Sequence, residues 1–316
     1  MDKESKAIER IKMASEMSLG YYGKPLICTY SGGKDSDVML ELFKRSGIPF
    51  EVHHSLTTAD APQTVYHIRE MFYRLEREGI RCTIDYHDQA DGSRVTMWNL
   101  IPKKLMPPTR WVRYCCSVLK ESGTPNRMIA TGVRWDESNQ RRGRESFEAI
   151  TKKKKDAIRV TDEKMLLSDN VDTRKLFERC EMKAETVVNP IIDWTDSEVW
   201  DFYNSECPCH NRLYSMGYTR VGCIGCPMAG KVRWKEFGEF PVYRKMYIRA
   251  FDRMLQVREG KGLRYRNDTY KNWKSGEDVF LWWMEDENVI GQMEMVFDGE
   301  EIGIVERREN INKVGR

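Results

Sequence analysis

The sequence predicts an α/β protein, an open parallel sheet flanked by helices, followed by a helical C-terminal subdomain. Three observations lead there. Short apolar runs recur through the first half of the chain and are separated by stretches with helical spacing. The connections between those runs are long enough for right-handed crossovers, which join parallel strands. From Tyr243 onward, Met246, Tyr247, Ala250, Phe251 and Leu255 fall at helical spacing. We expect two domains, residues 1–230 and 231–316.

The elements follow in order. Ala7, Ile8, Ile11, Met13 and Met17 mark an opening amphipathic helix. Pro25-Leu26-Ile27-Cys28-Thr29-Tyr30 is an apolar run ending at a glycine pair, as a buried strand would. Val38, Met39, Leu42 and Phe43 then share a helical face, and Ser46-Gly47 with Pro49 stops that helix. A strand near 50–56 leads to Pro62 and a helix to about Arg77, then a strand over 81–86. Residues 129–133 read as a further strand. The charged stretch 134–188 reads mostly as a mobile excursion, with Lys152 to Lys155 as an exposed tract or, more sharply, a nucleic-acid contact. Thr195-Asp196-Ser197-Glu198 carries a helix N-cap signal, and a cysteine-rich stretch then runs to Cys226.

Composition narrows the function classes. The chain has 316 residues, 40% of them hydrophobic, with nine Trp, 14 Tyr and 11 Phe, enough to fill a core. With 52 basic and 49 acidic side chains, the net charge of +3 does not single out a nucleic-acid binder. The charged N-terminus is unlike a signal peptide, and no run approaches the roughly 20 apolar residues of a membrane helix. A cytoplasmic protein without membrane association is expected. Nine cysteines in a reducing compartment point away from a disulfide framework and, being clustered, towards a metal or redox chemistry.

Ser31-Gly32-Gly33-Lys34-Asp35-Ser36 lies between the expected first strand and its helix. Two glycines let the backbone turn tightly and present N–H groups to an anion, and the helix adds its N-terminal amides. Ser31 and Ser36 add hydroxyls, and Lys34 adds a charge. Such a loop suits phosphate, pyrophosphate or sulfate. It differs from the common ATPase loop, because Cys28 stands at the first glycine position and Asp35 follows Lys34. The bland alternatives are a turn that only joins strand to helix and, for Asp35, a helix-start charge without a ligand role. Arg134 and Arg141 follow the expected strand at 129–133, and strand carboxyl ends are where open α/β sheets bind ligands, so both are candidates for an anionic end. Their alternative is a solvated charged face. His53-His54 could face a nucleotide or be an ordinary strand-edge pair, while His67, His87 and His210 carry no signal.

Cys223-x-x-Cys226 can chelate one centre, and Cys115-Cys116, Cys207 and Cys209 supply further thiols. Four thiolates drawn from these could hold a 4Fe–4S cluster, the alternatives being a structural zinc or buried free thiols. Cys28, Cys82 and Cys180 look like ordinary core or surface cysteines.

The loop Ser31 to Ser36 resembles the pyrophosphate loop of the N-type ATP pyrophosphatases, especially the phosphoadenosine phosphosulfate reductase branch. Similar too are Arg113-Tyr114-Cys115-Cys116 with Lys120, Gly132-Val133-Arg134 with Glu137-Ser138 and Arg141, Pro190 to Thr195, and Gly222-Cys223-Ile224-Gly225-Cys226-Pro227. The likeness spans roughly residues 24–230 and implies the adenine nucleotide alpha hydrolase (HUP-like) fold. It also implies a nucleotide, ATP or adenylylsulfate, held by Ser31, Gly32, Gly33, Lys34, Asp35, Ser36, Gly132, Arg134 and Arg141, with Lys34, Asp35 and Arg134 catalytic. Cluster ligands would be Cys115, Cys116, Cys223 and Cys226, or, as in a DNA-phosphorothioation branch, a set including Cys209 with Cys116. Two departures stand out. Residues 56–64 lack the family's acidic-Thr-Gly stretch, and no cysteine follows Cys226 to act as the reductases' attacking thiol. The expected activity is therefore adenylation of a substrate by ATP with release of pyrophosphate, aided by Mg²⁺ and supplied by a sulfur-donor protein. Alternatives are an adenylylsulfate or phosphoadenylylsulfate reductase served by a thioredoxin-like reductant, and a silent nucleotide-binding module.

Overall fold

The computed structural model describes residues 2–88, 92–120, 126–139, 141–150, 158–160, 185–263, 273–285, 293–298 and 301–306. Two compact units emerge. The first comprises 1–95 with 116–223, the second 96–115 with 224–316. The helical subdomain expected from residue 231 is thus joined by the segment 96–115.

The first unit is built on a seven-stranded sheet. Its strands are β1 (Leu26–Thr29), β2 (Phe50–Ser55), β3 (Arg81–Asp85), β4 (Met128–Ala130), β5 (Phe147–Ile150), β6 (Ile158–Val160) and β7 (Glu185–Val188), in the order β3-β2-β1-β4-β7-β5-β6. The first five in that order are parallel, as expected. β5 lies antiparallel to both β7 and β6. This corrects the expectation of a mobile excursion over 134–188, since its described residues supply three strands. Their signal was weak because each is only three or four residues long and lies in a stretch dominated by charged residues. Lys152 to Lys155 and Cys180 lie outside the described residues.

Helices α1 (Lys3–Tyr22), α2 (Lys34–Ser46) and α3 (Pro62–Arg77) follow the expected pattern. Gly47 ends α2 in the left-handed conformation at φ 69°, which glycine adopts without a Cβ clash. One apolar core joins Ile11 and Ala14 of α1, Val38, Leu42 and Phe43 of α2, and Leu26, Cys28, Val52 and Val188 of the sheet. Arg10 sits inside it, 1% exposed, and donates to both carboxylate oxygens of Asp193 at 2.8 and 3.1 Å and to the Pro190 carbonyl at 2.8 Å. The segment 190–195 is therefore the strap that ties α1 to the sheet. Short helices α4 (Met97–Lys104) and α5 (Tyr114–Leu119) precede β4 in the chain, while α6 (Asp196–Glu206) and α7 (Arg212–Ser215) follow β7. The capping box read at Thr195 is formed, with Glu198 N–H on Thr195 Oγ1 and Thr195 N–H on Glu198 Oε2.

In the second unit, α8 (Val232–Glu239), α9 (Pro241–Gly260) and α10 (Gly276–Met284) surround an aromatic core of Phe237, Tyr247, Phe251, Phe280 and Trp283. Helix α4 joins it through Trp98, whose ring meets Tyr247 edge-on at 5.0 Å. The unit is not wholly helical: β8 (Met293–Asp298) and β9 (Glu301–Glu306) form an antiparallel hairpin. No helix among the described residues is long and apolar enough to cross a membrane.

Candidate nucleotide site

Strand β1 ends at Thr29, and the chain turns through the glycine pair directly into α2 at Lys34. Gly32 has φ +72°, and a Cβ there would sit 2.8 Å from Ile68 Cγ1, so both conformation and close packing on α3 demand glycine. Gly33 is less constrained: its Cβ would meet nothing nearer than Tyr214 Oη at 3.5 Å. Ser36 Oγ donates to the Gly33 carbonyl at 2.7 Å, accepts the Gly33 N–H at 3.1 Å, and lies 3.3 Å from Ser31 Oγ. Asn211 Nδ2 donates to the Gly32 carbonyl at 2.7 Å, and the Tyr214 hydroxyl accepts the Lys34 N–H at 2.7 Å. Tyr214 Oη thus stands where an anion's oxygen would meet the helix N-terminus.

The nominated charged residues converge. Lys34 Nζ lies 3.1 Å from Asp35 and 3.0 Å from Asp196 Oδ1. Arg134, 2% exposed, donates through Nε to Asp35 Oδ1 at 2.6 Å and through Nη2 to the same Asp196 oxygen at 3.0 Å. Two cations and two carboxylates form one quartet. Burial would raise the Asp196 carboxyl, yet hydrogen bonds and charge from Lys34 and Arg134 outweigh it and hold it below the usual carboxylate range. Burial likewise opposes the Arg134 charge, and Asp35, helped by Glu137 and Asp196, outweighs it. Gly132 lies beside Asp35, where a Cβ would come to 3.4 Å from Asp35 Cβ and its carbonyl oxygen. Arg141 stands apart from the quartet in its pairing, bonded to Glu137 and 42% exposed at its side chain.

Asp196 was read from sequence only as part of a cap signal; its second role depends on where α6 begins in space. Its Oδ1 touches both cations as a phosphate oxygen would. Asp196→Asn is expected to strengthen Mg²⁺-free pyrophosphate binding roughly fivefold in calorimetry, because one exposed like charge near 4 Å costs about 1 kcal/mol in water.

Beside the loop lies a polar cluster with no local sequence signature. The Tyr30 hydroxyl donates to Asp37, and His67 Nε2 lies 3.1 Å from Tyr30 Oη and from both Asp37 oxygens. Burial, then Asp37, pushes the Tyr30 phenol well above its ordinary pKa, so it stays a donor. His54 is buried with Nδ1 2.9 Å from the Tyr30 carbonyl, and His53 lies between Glu51 and Asp85 at 3.4 and 3.5 Å. These histidines brace the strand ends.

The cysteines separate. Cys28 and Cys207 are core side chains whose thiols burial pushes up, which makes Cys207 a poor substitute for the missing attacking thiol. Burial pushes the Cys82 thiol up to about 12. Cys209 packs against the core of the first unit and accepts from Arg74. Cys223 Sγ donates to Thr57 Oγ1 at 3.3 Å, and its backbone bridges to Asp60. Asp60 accepts from the Thr57 amide and hydroxyl at 3.2 and 2.7 Å, while Thr58 takes a left-handed φ of 62°. The departure at 56–64 is therefore a turn closed by Asp60. In the second unit the Ile224-Gly225 turn is seated on the aromatic core: Gly225 has φ +74°, its N–H donates to Glu236 at 2.7 Å, and a Cβ would lie 2.5 Å from Phe237 Cζ. Among the described residues, no three His, Cys, Asp or Glu side chains are gathered to hold a metal ion. Cys115, Cys116, Cys209, Cys223 and Cys226 thus do not form a ligand shell as placed.

Residues 25–229, spanning the loop, the quartet and the cysteine-rich stretch, match the model of the phosphoadenosine phosphosulfate reductase domain. The chain belongs to that family. Among its relatives, an uncharacterized protein of Methanocaldococcus jannaschii, MJ0066, is 25% identical over 237 residues, covering 74% of this chain and 41% of its own. An adenosine 5′-phosphosulfate reductase of Staphylococcus haemolyticus is 22% identical over 208 residues, covering 65% of this chain and 71% of its own. The chain spans less than half the length of the M. jannaschii relatives it matches. A crystal structure of phosphoadenylyl-sulfate reductase from Candida auris, in complex with phosphate, aligns at 14% identity and a TM-score of 0.43, covering 69% of this chain and 88% of that one. Membership of the family accounts for the order of the motifs.

Proposed function

We propose that the chain is an ATP-pyrophosphatase-type enzyme of sulfur transfer. An oxygen of the acceptor attacks the α-phosphorus of ATP, the bond to the β-phosphate oxygen breaks, and pyrophosphate leaves. A sulfur nucleophile from a donor protein then displaces AMP. The single observation that carries this reading is the Lys34–Asp35–Arg134–Asp196 quartet at the mouth of a glycine turn that opens a helix. Lys34 and the loop amides would receive the leaving pyrophosphate, and Arg134 would hold the charge developing on the α-phosphate. Tyr214 would yield the Lys34 amide to a phosphate oxygen. Bound Mg²⁺ would neutralise that pyrophosphate, with Asp35 and Asp196 as the carboxylates at hand, the one or two that such a phosphate-bridged ion needs.

Arg141 remains a proposed contact for the ligand's outer anionic end, which would require it to leave Glu137. The thiols of a 4Fe–4S cluster would be four of Cys115, Cys116, Cys209, Cys223 and Cys226, with Cys209 having to leave Arg74 and Cys223 to leave Thr57 if either served. The adenylylsulfate reductase of S. haemolyticus supports a second reading, reduction of adenylylsulfate with a thiol from elsewhere.

One preparation tests both. Anaerobically purified protein is expected to contain iron and sulfide, to bind ATP, and to release pyrophosphate from ATP when acceptor pools are supplied. Sulfite release from adenylylsulfate with thioredoxin would establish the reductase instead. Nucleotide binding with neither product would reduce the protein to a silent module.

A further inference from the structure

Charge is unevenly spread along the chain. Segments 96–115 and 224–263, both in the second unit, carry thirteen Lys and Arg against four Asp and Glu, although the whole chain has 52 against 49. A near-neutral total thus hides a strongly basic region.

Two large aromatics stand out of that region. Trp111 is 69% exposed and Trp234 54% exposed. Each is bracketed by cations, Trp111 by Arg110 and Arg113, and Trp234 by Lys231 and Lys235. The two segments are fastened to common points. Trp283 Nε1 donates to the Pro108 carbonyl at 2.6 Å, while the Trp283 carbonyl accepts from Arg233 Nη1 at 2.8 Å. Arg110 Nε donates to the Pro227 carbonyl at 3.1 Å, at the turn that leads into α8. The segments that carry Trp111, three residues beyond Pro108, and Trp234, next to Arg233, are therefore both anchored on Trp283.

We propose that this face of the second unit binds single-stranded nucleic acid. A tryptophan standing in water loses apolar burial, and a base gives it a stacking partner whatever the sequence. The flanking cations match phosphates at either side of a stacked base. A protein partner would favour a contiguous apolar patch over aromatics separated by like charges. A membrane-surface helix would need one apolar face, and α8 buries Arg233 and Glu236 beside Phe237 while exposing Val232 and Trp234. The recognition involves phosphates and base faces and is blind to the sugar. It is independent of the nucleotide reading above, because it is measured without ATP.

The test is fluorescence anisotropy of the full-length protein with labelled oligo(dT) and oligo(U) of roughly 20 nucleotides at low salt. Both probes are expected to bind with similar affinity, falling at least tenfold between about 50 and 200 mM salt. Trp111→Ala with Trp234→Ala should weaken binding by about 30-fold or more, since two stacks are lost and each is worth at least about 1 kcal/mol. Trp111→Phe with Trp234→Phe should restore most of it, and unchanged circular dichroism and melting would show that the fold is intact. No binding to either probe overturns the proposal, as does binding indifferent to both tryptophans. So does a preference for anionic lipid vesicles over the oligonucleotides.

Discussion

Lys34→Met is expected to weaken ATP binding by about 10- to 100-fold in titration calorimetry while shifting the melting temperature little. Lys34 is 5% exposed and held by Asp35 and Asp196, with its ammonium 5.5 Å from the centre of the Trp200 ring. The methionine keeps the packed stem and deletes only the charge. A charged hydrogen bond to phosphate is worth about 1.5–3 kcal/mol, which sets the expected range. Arg134 stays paired with both carboxylates in the variant, so the quartet loses one cation without scattering. If the variant bound ATP as tightly as the parent, the glycine loop would be a structural turn and the proposed chemistry would lose its seat.

Asp193→Ala should cost about 3–5 kcal/mol of folding stability, read by denaturant titration, because it strands a buried guanidinium. Arg10 is 1% exposed and spends its fork on Asp193 and Pro190. The double variant Arg10→Met with Asp193→Leu should recover much of the loss, since a matched apolar pair leaves no charge uncompensated. Burial would raise the Asp193 carboxyl, but Arg10 and then Lys6 hold it below its ordinary value. Its folded pKa is therefore depressed. The pair's stabilisation is present above the unfolded value of about 3.9 and is lost as pH falls through the lower folded one. Titrating stability below about pH 4 checks the sign: the parent should lose this increment there, and Asp193→Ala should have none to lose.

These two residues also show what could be read in advance. Lys34 was legible because a glycine pair between a strand run and a helical run leaves few local conformations, and its charge then faces the helix start. Asp193 was legible only as a family letter, because its partner Arg10 is far away in the chain and looks like a surface residue on an amphipathic helix. Asp196 was hidden by its own cap signal, and Asp37 and His67 by the absence of any local pattern linking them to Tyr30. The strands β5, β6 and β7 escaped for another reason. Short strands at a sheet's far side carry too few residues for a clear alternation, and their pairing is decided by the neighbours that receive them.

By itself the sequence determined the glycine turn, the helix stops and caps, the parallel strands around β1, and the candidate thiols, because each depends on residues close together in the chain. Tertiary structure alone decided that Lys34, Asp35, Arg134 and Asp196 form one quartet, that Cys209 accepts from Arg74, and that the segments carrying Trp111 and Trp234 are both anchored on Trp283. Those facts depend on where distant segments meet, and packing rather than local backbone preference sets that meeting.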